Sequence, residues 1–136
     1  MFARTAVRNA KLGIEGLASK TNLNGANVLV RLDLNVPLSK DDGKTITNDK
    51  RLRAVVPTLE FLKGQGAKTV IATHIGRPKE PPFSDSMKTS VVTERLSELI
   101  DVDVQYCDET IGPKAKAATA DMPAAVASST WPVESY

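Results

Sequence analysis

Short apolar runs alternate with longer stretches in which apolar residues recur every three or four positions. Residues 26–30 (Ala-Asn-Val-Leu-Val) and 68–72 (Lys-Thr-Val-Ile-Ala) are rich in β-branched residues and lack polar alternation, which predicts two buried parallel strands. Between them, Leu52, Val55, Val56, Leu59 and Leu62 recur at helical spacing over residues 50–63, with Thr47, Asn48 or Asp49 as N-cap and Gly64 or Gly66 at the end. Pro57 falls inside this pattern and lacks a backbone donor, so a kink or a late helix start is expected there. A second helix is expected over residues 90–100, packing through Val92, Leu96, Leu99 and Ile100. Val102, Val104 and Tyr106 alternate as a third strand, and Pro113 suits the first turn of a short helix to about residue 118. Strands that alternate with helices predict an α/β parallel sheet.

Ionisable side chains directly follow both strands. The first runs into Arg31-Leu32-Asp33-Leu34-Asn35-Val36-Pro37, and the second into Thr73-His74-Ile75-Gly76-Arg77-Pro78. Ligands of open α/β sheets sit outside the carboxyl ends of the strands, so Arg31, Asp33, Asn35, His74 and Arg77 are expected at one rim. Arginine offers a fixed fork of donors to a carboxylate or phosphate, histidine adds a donor, and Asp33 and Asn35 can accept from hydroxyls. Such a rim suits a small hydroxylated phospho-acid. Taken singly, each residue has a plainer role: Asp33 and Asn35 as Asx-turn formers, His74 as a packed or surface histidine. Arg51 stands at a helix start, where a cation opposes the macrodipole, and a function would explain its position. Arg53 is expected to face solvent, and residues 40–44 read as a hydrated hairpin-like loop around Asp41, Asp42 and Gly43.

Four strings in this order, Arg-x-Asp-x-Asn-Val-Pro, then Ile46-Thr47-Asn48-Asp49-Lys50-Arg51-Leu52-Arg53-Ala54, then Gly66-Ala67-Lys68, then His-x-Gly-Arg-Pro, closely resemble the N-terminal part of phosphoglycerate kinases. The resemblance runs from about Leu23 to about Met122 and implies an incomplete Rossmann-like parallel sheet with flanking helices. It divides the chain into an N-terminal extension (1–22), a partial N-terminal domain (23–122) and a divergent tail (123–136). The activity it implies is reversible transfer of the γ-phosphoryl of MgATP to the carboxylate of 3-phosphoglycerate, giving 1,3-bisphosphoglycerate and MgADP, in glycolysis. By the same resemblance Arg51 is the catalytic arginine, holding the carboxylate and the transferring phosphoryl group. Arg31, Asp33, Asn35, His74 and Arg77 would complete the substrate site. Mg²⁺ and ATP or ADP serve the complete enzyme, and their site is expected to lie outside these residues, which contain no Gly-x-x-x-x-Gly-Lys-Ser/Thr loop. The family is typically monomeric, whereas a partial domain is expected to self-associate and to be inactive alone.

Composition removes several other classes. A formal charge of +2 without any basic run interleaved with aromatics gives no case for nucleic acid, and no apolar stretch is long enough to span a bilayer. Cys107 and His74 are the sole residues of their types, so neither a disulfide nor a Cys/His zinc site can be assembled, and Cys107 is expected in a buried strand. The location expected is cytoplasmic. Arg4, Arg8 and Lys11, with no acidic residue before Glu15, are alternatively consistent with a transit peptide over residues 1–20 to a mitochondrion or plastid. From Pro123 onward the apolar strand and substrate arginine that the resemblance implies are replaced by small residues, Trp131 and Tyr136, read as a frayed end of a truncated or aberrant product. Two other functions stay open: a receiver-like module phosphorylated on Asp33 with support from Thr73 or Lys68, and a non-catalytic interaction fragment pairing through a sheet edge.

Overall fold

The computed structural model describes residues 11–76, 88–120, 122 and 127–130. Arg77, the proline-rich segment that follows it, the first ten residues, Trp131 and Tyr136 lie outside the described residues. The elements are α1 (Ile14–Lys20), β1 (Asn27–Arg31), α2 (Lys50–Gly64), β2 (Lys68–Thr73), α3 (Ser90–Ile100), β3 (Gln105–Cys107), α4 (Pro113–Ala120) and β4 (Ala127–Thr130). The strands form one sheet in the order β1-β2-β4-β3, every pairing parallel. Each connection between consecutive strands carries a helix, as parallel pairing requires.

The helical spacing translates directly into burial. On α2, Leu52, Leu59 and Leu62 are buried; on α3, Val92, Thr93, Leu96 and Ile100 are buried. Most of these side chains meet Ile71 of β2 together with Leu34, Val36, Ile75 and Val104 in the main core. A smaller cluster of Leu23, Leu62 and Ala67 receives Ile14 and Ala18 from α1 and Val28 and Val30 from β1. Lys63 ties the two central helices together, its Nζ donating to the carbonyls of Ile100 at 3.0 Å and Asp101 at 3.3 Å at the end of α3.

Four expectations need correction. α2 begins at Lys50 and runs through Pro57, so of the two alternatives expected there the late start is excluded; proline fixes a helical φ, and at Pro57 the helix forgoes the bond to the carbonyl four residues earlier, which the ring also crowds. β1 is not buried on both faces: Leu29, in register with Val70, is 71% exposed, and among the described residues the strand has one neighbour, β2. The third strand is confined to Gln105–Cys107, with Val104 buried just ahead of it. Finally, the segment read as a frayed tail contributes β4, an inner strand in register with both β2 (Val70↔Ala127) and β3 (Gln105↔Ala127). Its Ala-Ser-Ser-Thr sequence has weak strand propensity, but the facing N–H and C=O groups of two strands are satisfied by it, and tertiary pairing overrides propensity. Cys107 is buried in β3 as expected, and residues 39–45 close a hairpin-like loop below the antiparallel Leu38↔Ile46 bridge.

The ends of β1 and β2 are joined by one buried side chain. Thr73 Oγ1 accepts from the Leu34 backbone N–H at 3.2 Å, with Thr73 and Leu34 both buried. Thr73→Val should therefore strand a buried donor and lower unfolding free energy by about 1–3 kcal/mol, while Thr73→Ser keeps the acceptor. Urea denaturation of the two variants checks this, and equal losses would contradict it.

Candidate functional site

Past the end of β1 the chain keeps a two-residue alternation that separates anchoring from chemistry. Leu34 and Val36 are buried in the core, whereas Asp33 is exposed and Asn35 half-buried between them. The apolar pair thus fixes the backbone from which the polar pair is presented. Asp33 Oδ1 accepts from the Asn35 N–H at 3.1 Å, an Asx turn, and from Arg51 Nη1 at 2.9 Å. The same Nη1 donates to the Asn35 carbonyl at 2.8 Å. One carboxylate therefore serves both as the turn former and as the arginine's partner.

The second strand end closes on the first through a glycine. Asn35 Oδ1 accepts from the Gly76 N–H at 3.0 Å, and Gly76 has φ +69°, a conformation that side-chain-bearing residues adopt at a cost. With that oxygen occupied, the amide NH₂ of Asn35 has two donors to offer. The Arg51 side chain is 51% exposed and that of Asp33 62%. An ion pair this exposed contributes little stability, so the guanidinium can exchange Asp33 for an incoming anion at small cost.

The sequence-predicted residues are thus brought together in part. Asp33, Asn35 and Arg51 form one hydrogen-bonded group, and His74 lies half-buried in the loop between Thr73 and Gly76, both of which bond to the β1 end. Arg31 ends β1, exposed, in register with Ala72, and among the described residues it makes no ion pair with the group. Arg77 lies outside the described residues. Sequence reasoning missed Thr73 and Gly76 as the links between strand ends, although both belong to the second strand-end run. It also missed Arg95, whose contact with Asp49 spans 46 positions and leaves no local signal.

Behind the first turn of α2 a second set of charges ties helix to helix. Asp49 pairs with Arg53 at 3.0 Å and with Arg95 of α3 at 2.8 Å, and Arg95 also pairs with Glu98 at 2.6 Å. The hydrogen bonds from Arg53, then those from Arg95, hold the Asp49 carboxyl below the usual carboxylate range. In the loop, Asp42 is held at about 2, chiefly by the Thr45 hydroxyl and then by the N–H groups of Thr45 and Lys44. A carboxylate whose acidity is raised by folding stabilises the fold fully above its unfolded value, roughly 3.9, and loses that contribution as pH falls through the lowered value. Acid unfolding should therefore include proton uptake at Asp42 and Asp49. An NMR carboxyl titration should place the Asp42 midpoint at about 2. A midpoint at the ordinary aspartate value would contradict these contacts. An open cleft of about 740 Å³, lined by Lys44, Ile46, Lys50, Val91 and Arg95 among others, lies on this side and includes neither Asp33 nor Arg51.

Comparison with known proteins decides the family. The phosphoglycerate kinase family model matches residues 18–127. The chain belongs to the phosphoglycerate kinase family. It is 43% identical over 123 residues to the chloroplastic phosphoglycerate kinase 1 of Arabidopsis thaliana, covering 89% of this chain and 24% of that one. It is 48% identical over 114 residues to the phosphoglycerate kinase of Akkermansia muciniphila, covering 83% and 26%. Among solved structures, the phosphoglycerate kinase of Pyrococcus horikoshii OT3 superposes with a TM-score of 0.70 at 32% identity, over 82% of this chain and 26% of that one. The chain thus spans about a quarter of the length of the relatives it matches. Its fold is the Rossmann-like α/β arrangement of phosphoglycerate kinases, so the receiver-like reading falls. No helix among the described residues is long and apolar enough to cross a membrane.

Proposed function

We propose that this chain supplies the 3-phosphoglycerate-binding part of a phosphoglycerate kinase, contacting substrate and its product 1,3-bisphosphoglycerate through Arg31, Asp33, Asn35, Arg51, His74 and Arg77. The observation that carries the reading is the half-exposed Arg51 guanidinium, aimed by Asp33 and the Asn35 carbonyl at the strand ends. A carboxylate acceptor is already a nucleophile, so the chemistry calls for alignment and charge neutralisation rather than a general base. Arg51 would hold the acceptor carboxylate and offset charge on the transferring group. The free oxygen of Asp33 would accept from the substrate hydroxyl, and the Asn35 amide would donate to an anionic oxygen. Arg31 and Arg77 would add to the cationic rim, and His74 would add a donor. In this reading residues 23–122 carry the site-bearing portion, 1–22 precede it and 123–136 form the divergent tail.

The donor set at the strand ends does not suit Mg²⁺. Among the described residues there is no group of three or more metal-ligating side chains, and Asp33 is engaged by Arg51. In this reading ATP and Mg²⁺ belong to the part of a family chain beyond these residues. Among the described residues the outer edge of β1 is unpaired and Leu29 is exposed, which supports self-association of the isolated chain. Relatives carry both chloroplastic and cytosolic names, and we place this chain in the cytosol, or in a plastid or mitochondrion if residues 1–20 act as a transit peptide.

A coupled assay with MgATP and 3-phosphoglycerate tests the reading. The chain alone should give no turnover, and adding the remaining segment of a matching kinase should restore it. Turnover by the chain alone, or none after assembly of a stable complex, would overturn the proposal.

A further inference from the structure

Asp49 occupies the N-cap position of α2, yet its side chain makes no capping hydrogen bond to that helix. Both carboxylate oxygens are engaged by arginines instead. Oδ1 accepts from Arg53 Nε at 3.0 Å, while Oδ2 accepts from Arg95 Nε at 3.2 Å and Nη2 at 2.8 Å, reaching across from α3. Arg95 is itself braced by Glu98, to which Nη1 donates at 2.6 Å. The Asp49 and Arg95 side chains are only 24% and 35% exposed, so this contact is better shielded than the Arg51–Asp33 pair.

Arg51 follows Asp49 by two residues, which on a helix is roughly 200° of rotation. The first turn of α2 is therefore tied on two sides, to α3 through Asp49 and to the β1 end through Arg51. The second tie is the one a ligand would loosen, because an anion at the strand ends competes with Asp33 for the guanidinium. The first tie then remains to fix the turn.

We propose that Arg95 is a positioning residue for Arg51: by gripping Asp49 it fixes the first turn of α2, and so the direction in which the Arg51 guanidinium meets an anion at the strand ends. This role rests on Arg51 being a substrate-binding residue. Held below the usual carboxylate range, the Asp49 carboxyl stays ionised, and the grip intact, throughout neutral pH.

The test uses the ¹⁵N-labelled full chain, first without ligand. Arg95→Met, which keeps an apolar stem and removes the donors, should shift and broaden the Arg51 Nε–H signal. Asp49→Asn should do the same from the other side, and Arg95→Lys should restore part of the wild-type signal. On titration with 3-phosphoglycerate, Arg95→Met should weaken affinity about 3- to 10-fold in the wild-type background and less than about twofold beside Arg51→Ala, the non-additivity expected of coupled groups. An Arg51 signal unmoved by both Arg95→Met and Asp49→Asn, or equal affinity losses in the two backgrounds, would overturn the positioning role. A wild-type chain that binds no 3-phosphoglycerate would refute the substrate reading instead, and the ligand-free Arg51 signal decides the positioning role independently of it.

Discussion

Arg51→Ala should reduce kcat of the reassembled kinase on the order of 10³-fold, the scale seen when a single charge-stabilising group is removed from a phosphoryl- or acyl-transfer site. The expectation follows from geometry and from what the chemistry lacks. No base is needed to activate a carboxylate, so the barrier is set by alignment and by the charge that gathers between donor and acceptor. Among the described residues, Arg51 is the cation fixed at the β1 end, through Asp33 and the Asn35 carbonyl. Folding should hardly change, since an ion pair this exposed contributes at most about 1 kcal/mol. A large activity loss with unchanged stability is therefore the signature. Arg51→Lys should recover little, because a point charge cannot reproduce the planar fork. Coupled-assay turnover at saturating substrate measures the effect, and a loss below about tenfold would contradict the assigned role.

Leu96→Ala should be strongly destabilising, lowering unfolding free energy by about 2–5 kcal/mol. Leu96 is fully buried in the main core, where α3 meets Leu52 and Leu59 of α2 and Ile71 of β2. Truncation leaves a cavity between elements that are held rigidly by the sheet. Domains of this size have only about 5–15 kcal/mol in total, so the loss is a large share of the margin. Leu29→Ala on the open face of β1 makes the contrast, and should stay within about 0.5 kcal/mol. Urea unfolding of both variants checks the pair. Similar midpoints would mean that the core does not lie between α2, α3 and β2.

What the sequence disclosed follows the reach of each signal. α2 and α3 were legible almost to the residue, because Leu52, Leu59 and Leu62, and Val92, Leu96 and Ile100, repeat at helical spacing and face the interior. The Asp33–Asn35 turn was legible because an aspartate at a strand end commonly accepts from the backbone N–H two residues on. β4 was not, since Ala-Ser-Ser-Thr has no apolar pattern and its place depends on the gap between β2 and β3. The exposure of Leu29 escaped for a similar reason: an apolar strand reads as buried whether or not anything covers its outer face. α1 lies in a segment read as an extension, although Ile14 and Ala18 pack on the Leu23 cluster. The site was legible where its parts are strand ends in one motif. It was hidden where Arg95 reaches Asp49 from a distant helix.

The binding claim meets its most direct test in an NMR titration of the ¹⁵N-labelled chain with 3-phosphoglycerate at low and high salt. The expected result is saturable shifts confined to Arg31, Asp33, Asn35, Arg51, His74 and Gly76 among the described residues, with affinity that falls as salt screens the ionic contacts. Shifts that leave those residues unmoved, or that gather instead in the cleft between residues 44–53 and α3, would contradict the account.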